Sequence, residues 1–121
     1  MLIRYKKTFE KIAMGLLSFM PEGKDLKKLQ ETIQLYETEE NWQLFLYKRG
    51  EDFIGLIGVE LTEDDATVHH VSVNPSFRNE GIGKEMVLKM SSLIGNRKIC
   101  PNETTKPFIE KCIYPNEGTD L

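Results

Sequence analysis

Val71-Ser72-Val73-Asn74-Pro75-Ser76-Phe77-Arg78-Asn79-Glu80-Gly81-Ile82-Gly83-Lys84 is the stretch on which the reading of this chain turns. An apolar strand ends at an Asn-Pro stop, and an Arg-x-x-Gly-x-Gly loop then opens an amphipathic helix. The first N–H groups of a helix have no partner within it, and the helix dipole favours an anion at that end. Gly81 and Gly83 carry no Cβ, so phosphate oxygens can approach the main chain closely and positive φ is tolerated. The pattern is that of a pyrophosphate cradle. It is not a dinucleotide fingerprint, because Met86 stands where Gly-x-Gly-x-x-Gly requires its third glycine. Nor is it a P-loop: Glu85 follows Gly83-Lys84, and Arg78 occupies the position of the first P-loop glycine.

Outward from the cradle, residues 66–73 read as the strand that feeds it. Residues 42–48 and 53–61 are two earlier strands, the first with Leu44, Phe45 and Leu46 inside. The separating turns, Arg49-Gly50-Glu51-Asp52 and Thr62-Glu63-Asp64-Asp65, are short enough to imply an antiparallel meander. Residues 81–95 form the cradle helix, with Ile82, Met86, Met90, Leu93 and Ile94 facing the core and Gly95-Asn96 ending it. Residues 97–100 form a strand that the strand–helix–strand order makes parallel to 66–73. At the N-terminus a strand over 2–5 precedes a helix over 7–20, whose core face is Phe9, Ile12, Ala13, Leu16, Leu17 and Met20. Pro21-Glu22-Gly23 breaks it, and a second helix over 24–38 carries Leu26, Leu29, Ile33 and Tyr36. Thr104 or Thr105 caps a last helix, with Pro107 in its first turn and Phe108, Ile109 and Cys112 facing inward. Residues 115–121 show no periodicity and are expected to fray. The expectation is one α+β domain over residues 1–121, layered α/β/α around a mixed, mostly antiparallel sheet.

A chain of 121 residues with a net charge of −3 has room for one modest core and is not a general nucleic-acid binder. It contains no apolar run near the roughly 20 residues that span a bilayer. Charges at Lys6, Lys7, Glu10 and Lys11 rule out a signal peptide at the N-terminus. Two cysteines, Cys100 and Cys112, suit a reducing cytoplasm, and no His/Cys spacing suggests a metal.

Arg78-x-x-Gly81-x-Gly83 after a strand ending in Val73-Asn74-Pro75 resembles the acetyl-coenzyme A loop of the GCN5-related N-acetyltransferases (GNAT). The order of elements resembles that fold over about residues 42–112. A closer resemblance, to the RibT-type acetyltransferase-like proteins encoded with riboflavin-synthesis genes of Gram-positive bacteria, is carried by the opening Met1 to Lys7 through Ser18-Phe19-Met20-Pro21, by the Val71-to-Lys84 block and by Pro101-Asn102-Glu103 followed by Phe108 and Glu110. The resemblance implies acetyl-CoA as co-substrate, a small amine as acceptor, and a pantetheine arm lying where strands 66–73 and 97–100 splay apart. It implies main-chain contacts to pantetheine from Val71, Ser72 and Val73. Arg78, Asn79, Glu80, Gly81, Ile82, Gly83 and Lys84 would form the pyrophosphate loop, and Asn102 would touch the coenzyme. The family's tyrosine, which protonates the leaving thiolate, aligns with Ile109, so the usual general acid is missing, and Phe108 lines the coenzyme channel. The family's final strand pair has no counterpart here, which leaves two expectations: part of the substrate wall is absent, or a homodimer partner supplies it.

Acetyl transfer needs a neutral amine, and an alkylamine with a pKa near 10.4 is less than about one part in a thousand neutral at pH 7. A base is required. His69 and His70, the only histidines, sit on the strand where the family commonly places one. Glu60 is the third candidate. Strand alternation sends adjacent residues to opposite faces, so at most one histidine should enter the cleft, and the two should not jointly bind a metal. Alternation groups His69 with Val71 and Val73, while a bulge would exchange the faces. A backbone N–H, with Val71 the leading candidate, would hold the oxyanion. Two functions fit these features: an acetyl-CoA-dependent N-acetyltransferase, or a coenzyme A-binding sensor or partner protein with little catalysis.

Overall fold

The computed structural model describes residues 1–21 and 23–113, without the side chains of Cys112 and Ile113. The inward placement of Cys112 and the fraying of 115–121 therefore lie outside the described residues. The elements are β1 (Leu2–Arg4), α1 (Glu10–Leu17), α2 (Leu26–Thr38), β2 (Trp42–Arg49), β3 (Asp52–Leu61), β4 (Asp65–Val73), α3 (Ile82–Leu93), β5 (Lys98–Pro101) and α4 (Lys106–Ile113). The five strands lie in chain order across one sheet. Pairing is antiparallel from β1 to β4, and parallel between β4 and β5, as the crossover through α3 demands. This is the mixed α+β fold expected from the sequence.

Strand alternation sorts the core into two layers. Leu44, Leu46 and Leu56 face α1 and α2, where Ala13, Leu16, Leu17, Ile33 and Tyr36 meet them. Phe45, Ile57, Val59, Val68, Val71 and Val73 face α3 and α4, against Ile82, Met86, Met90 and Ile109. Fully burying such aliphatic side chains contributes about 1.5–3 kcal/mol each. The buried Ser72 hydroxyl crosses between layers and donates to the Leu16 carbonyl at 2.7 Å, pinning the end of α1 to β4.

Three helix expectations are corrected. The helix expected over 7–20 opens as a 3₁₀ turn, Lys7–Phe9, and its α-helical part stops at Leu17. Residues 18–20 peel off in tight turns ahead of Pro21, which cannot continue a helix. Ile12 and Leu26 are exposed rather than core-facing. On α3 the buried stripe runs through Val87 and ends at Ile94, leaving Leu93 58% exposed. Asp25 starts α2 by accepting the Lys28 N–H at 3.2 Å.

The β4–β5 ladder is short. It runs from Asp65↔Lys98 to Val68↔Pro101 and then stops, while β4 continues to Val73 paired with β3 alone. A cleft opens along that unpaired edge.

Candidate functional site

Two cavities meet at this cleft. The larger, of about 490 Å³, is lined by Val71, Ser72 and Val73 of β4, by the loop to α3, by Thr104, Pro107, Phe108 and Lys111 around α4, and by Phe19-Met20-Pro21 after α1. Asn74 ends β4 by accepting the Ser76 N–H on its side chain at 2.9 Å, with Pro75 opening a single 3₁₀ turn. Arg78 Nε then reaches back to the Val73 carbonyl at 3.4 Å. Asn79 and Gly81 both take positive φ, 68° and 76°, and no side chain caps the start of α3 at Gly81. The N–H groups of Ile82, Gly83 and Lys84 thus open the helix with no intrahelical partner, at its electropositive end. Gly83 lies under the Phe108 ring so closely that a Cβ would collide with it. Three cations, Arg78, Lys84 and Lys111, line this cavity, and among the described residues no carboxylate does.

Of the residues the sequence assigned to coenzyme contact, Val71, Ser72, Val73, Arg78, Asn79, Gly81, Ile82, Gly83, Lys84 and Phe108 line this cavity. Two do not. Glu80 turns away to bond Arg49 at 3.0 Å. Asn102 lines the second cavity instead. Lys111 was not anticipated, because its helix face is defined only once α4 docks.

The second cavity, of about 240 Å³, is lined by Leu17, Met20, Gly23, Lys28, Leu29 and Thr32 on one side and His69, His70, Asn102 and Thr104 on the other. Met20 and Thr104 belong to both cavities, so the two spaces adjoin.

Both histidines enter this cavity, which corrects the expectation of at most one. The cause is a β-bulge. The β3–β4 register runs Gly58↔His70 and then Val59↔Val68, so His69 is an extra residue with no partner opposite. His70 keeps the face of Tyr36, and the bulge leaves His69 free to turn toward the same side. The ring of His69 stacks on Trp42, centroids 4.3 Å apart, and its Nε2 donates to Glu60 Oε1 at 2.9 Å. Glu60, an acceptor when ionised, therefore orients the ring and leaves Nδ1 as its other nitrogen. His70 Nδ1 lies 2.6 Å from the Tyr36 hydroxyl. Burial, and after it the neighbouring His69, lowers the pKa of His70 from 6.5 to about 4.

Asn102 is held by Thr105. The Thr105 N–H donates to Asn102 Oδ1 at 2.8 Å, which turns the amide nitrogen toward His69, 3.4 Å from Nδ1. The Thr105 hydroxyl is buried; it accepts the Asn102 N–H and donates to the Val68 carbonyl at 2.8 Å, tying the entry of α4 to β4. Among the described residues no group of three or more His, Cys, Asp and Glu is placed to hold a metal, and no helix is long and apolar enough to cross a membrane.

Comparison with known proteins agrees with this architecture. Residues 10–111 match the Acetyltransferase (GNAT) family. An uncharacterized N-acetyltransferase of Bacillus methanolicus, named for the 3′ region of lysA, is 62% identical over 113 residues, which is 93% of this chain and 94% of that protein. The aminoglycoside 6′-N-acetyltransferase AAC(6′)-IG of Acinetobacter haemolyticus shares the fold with a TM-score of 0.74 at 13% identity, over 98% of this chain and 89% of its own. AAC(6′)-Iy, solved in complex with CoA, gives 0.73 at 15% identity, over 95% and 84%.

Proposed function

This chain belongs to the GNAT acetyltransferase family, and from that premise we propose that it transfers the acetyl group of acetyl-CoA directly to a small primary amine. The observation that carries the reading is the larger cavity: three cations, no carboxylate among the described residues, and the open end of α3 on one wall. A pyrophosphate with its adjoining phosphate is the kind of ligand such a wall favours. Arg78, Asn79, Gly81, Ile82, Gly83 and Lys84 hold it, and the unpaired edge of β4 at Val71, Ser72 and Val73 takes the extended arm as another strand would be taken. The amine occupies the smaller cavity beside the histidines.

In this mechanism the Asn102 amide turns from His69 Nδ1 to its second acceptor, the His69 carbonyl at 3.5 Å, and His69, oriented by Glu60, removes the ammonium proton through Nδ1. The neutral amine attacks the thioester carbonyl, and a β4 backbone N–H, assigned to Val71, steadies the oxyanion. As the intermediate collapses the C–S bond breaks, and the second proton lost from nitrogen balances the one the thiolate gains. Ile109, at the position of the family's tyrosine, is 1% exposed and carries no proton to give. That observation favours a second reading, a coenzyme A-binding sensor or partner protein with weak catalysis.

The chain is assigned to the cytoplasm, where acetyl-CoA is made and thiols such as Cys100 stay reduced. The RibT-type likeness makes amines of flavin metabolism the first to screen. A homodimer that completes the amine side belongs to the same reading, and sedimentation showing only monomer at high concentration would remove it. The deciding test is calorimetric titration with acetyl-CoA and CoA, with Gly81→Glu as control, followed by thiol release over a panel of amines. Micromolar binding with turnover supports the transferase, and binding without turnover across the panel supports the sensor. Absence of binding defeats both.

A further inference from the structure

Tyr36 is buried between α2 and the sheet, yet its hydroxyl stands 2.6 Å from His70 Nδ1. Gly58 makes the room, because a Cβ there would collide with the phenol oxygen. The β4 bulge sets His70 directly opposite Gly58. A missing side chain on β3 and an extra residue on β4 therefore seat this pair together.

The direction of the hydrogen bond follows from which partner has a proton to give. Burial drives the phenol far above its ordinary pKa, so Tyr36 remains O–H. Among the described residues His70 is its one hydrogen-bonding partner. The phenol therefore donates to Nδ1, and a neutral imidazole that accepts at Nδ1 carries its hydrogen on Nε2. Burial lowers the pKa of His70 to about 4, so the ring is neutral at physiological pH. Among the described residues Nε2 has no protein partner, it is not sealed from solvent, and His70 lines the smaller cavity. Its N–H opens into that space. His69 is the converse: Glu60 holds its Nε2–H, and the Asn102 amide N–H that faces the lone pair of Nδ1 has a second acceptor in the His69 carbonyl at 3.5 Å, to which it turns when a ligand donates to Nδ1.

Building on the acetyltransferase reading, we propose that the two imidazoles face the smaller cavity with opposite polarity, His69 accepting at Nδ1 and His70 donating at Nε2, with Tyr36 as the positioning residue that fixes the His70 tautomer. The amine this site selects then carries an oxygen acceptor on a nearby carbon: an amino alcohol, amino acid or amino amide. The two rings are 6.3 Å apart between centroids, so a ligand bridging them is short. A plain alkylamine would strip water from the His70 N–H and return no acceptor, the situation in which sites built for hydrogen bonding discriminate most strongly.

Imidazole ¹⁵N NMR of the labelled protein at neutral pH tests the tautomer. The expected spectrum shows His70 with a protonated Nε2 and an unprotonated Nδ1, and Tyr36→Phe averages the two. A protonated Nδ1 in the native protein, or a signature that Tyr36→Phe leaves unchanged, overturns the assignment. The ligand class is tested in the same samples by titrating 2-aminoethanol against its isostere propylamine and following the His69 and His70 nitrogens. An apparent affinity at least about fivefold higher for 2-aminoethanol, lost in Tyr36→Phe, supports the class. Equal affinity, or no response to either, overturns it. Calorimetry with acetyl-CoA on the same preparation separates the two levels: failure to bind coenzyme defeats the transferase reading, while the tautomer result is decided independently.

Discussion

The two halves of the β4 strand are built by different means. Its C-terminal end, residues 71–73 with the loop to α3, depends on the main chain: a proline stop, two residues at positive φ and an uncapped helix start. Its middle, around His69 and His70, depends on side chains from four other places, namely Tyr36 of α2, Trp42 of β2, Glu60 of β3 and Asn102 beyond β5. Main-chain sites are written in contiguous sequence, because φ and N–H direction follow from neighbouring residues. Side-chain sites assembled across a sheet follow from register, which no local stretch contains.

The comparison breaks most sharply if chemistry and coenzyme binding cannot be separated. His69→Ala should lower turnover by about 10²–10⁴-fold, the usual worth of a general base, and leave the affinity for acetyl-CoA unchanged. Parallel losses in both would mean that the two regions are one.

A second test uses acid. His70 titrates near 6.5 when unfolded and near 4 when folded, so between those values the unfolded chain binds the extra proton. Stability from this group is complete above about pH 6.5 and lost as pH falls toward 4, by roughly 3 kcal/mol in total. Urea unfolding across that window should show the slope, and His70→Gln should flatten it. An unchanged slope in the variant would mean that the histidine region does not depend on burial of its imidazole.

Gly81→Glu comes next. A side chain at φ 76° is strained by about 1–2 kcal/mol, and the added carboxylate opposes an anion at the helix start. Coenzyme affinity should fall by about 100-fold, read by calorimetry, while the His69 and His70 resonances stay in place. The smallest effect is expected at Asp25→Ala, which removes the cap of the helix bearing Tyr36 and should cost about 1 kcal/mol of stability. A much larger loss would make the α2 start part of the histidine site.

What was legible in the sequence follows the same division. The succession of elements, the antiparallel meander and the parallel last pair follow from periodicity and punctuation, as does the glycine-marked helix start, whereas the residue-by-residue assignment of the loop came with the family resemblance. Helix faces were right wherever a helix is fully covered, as at Ile33, Tyr36 and Met86, and wrong near helix ends or sheet margins, as at Leu26 and Leu93. Glu80 was included with its loop because sequence adjacency says nothing of Arg49, 31 residues away. The histidines were identified but not their shared side. Strict alternation fails at a bulge, and the Gly58 that marks this one looks like any other glycine within a strand. Tyr36 reads as core in the sequence and is buried in the fold. Its hydroxyl acquires a partner only because β4 gains one residue at that level.

The neighbour order of the sheet is also the order of synthesis. Among the described residues no strand inserts between two that precede it, and each new strand is added to the open edge. Pairing β2 with β3 and β3 with β4 closes only tight turns, whereas β5 must wait for the whole of α3 to cross over. Loop closure is what slows non-local pairing. Refolding should therefore proceed from the meander outward, with the Thr104 side of both cavities, beyond β5, assembled last, so that ligand binding returns after most of the secondary structure has formed.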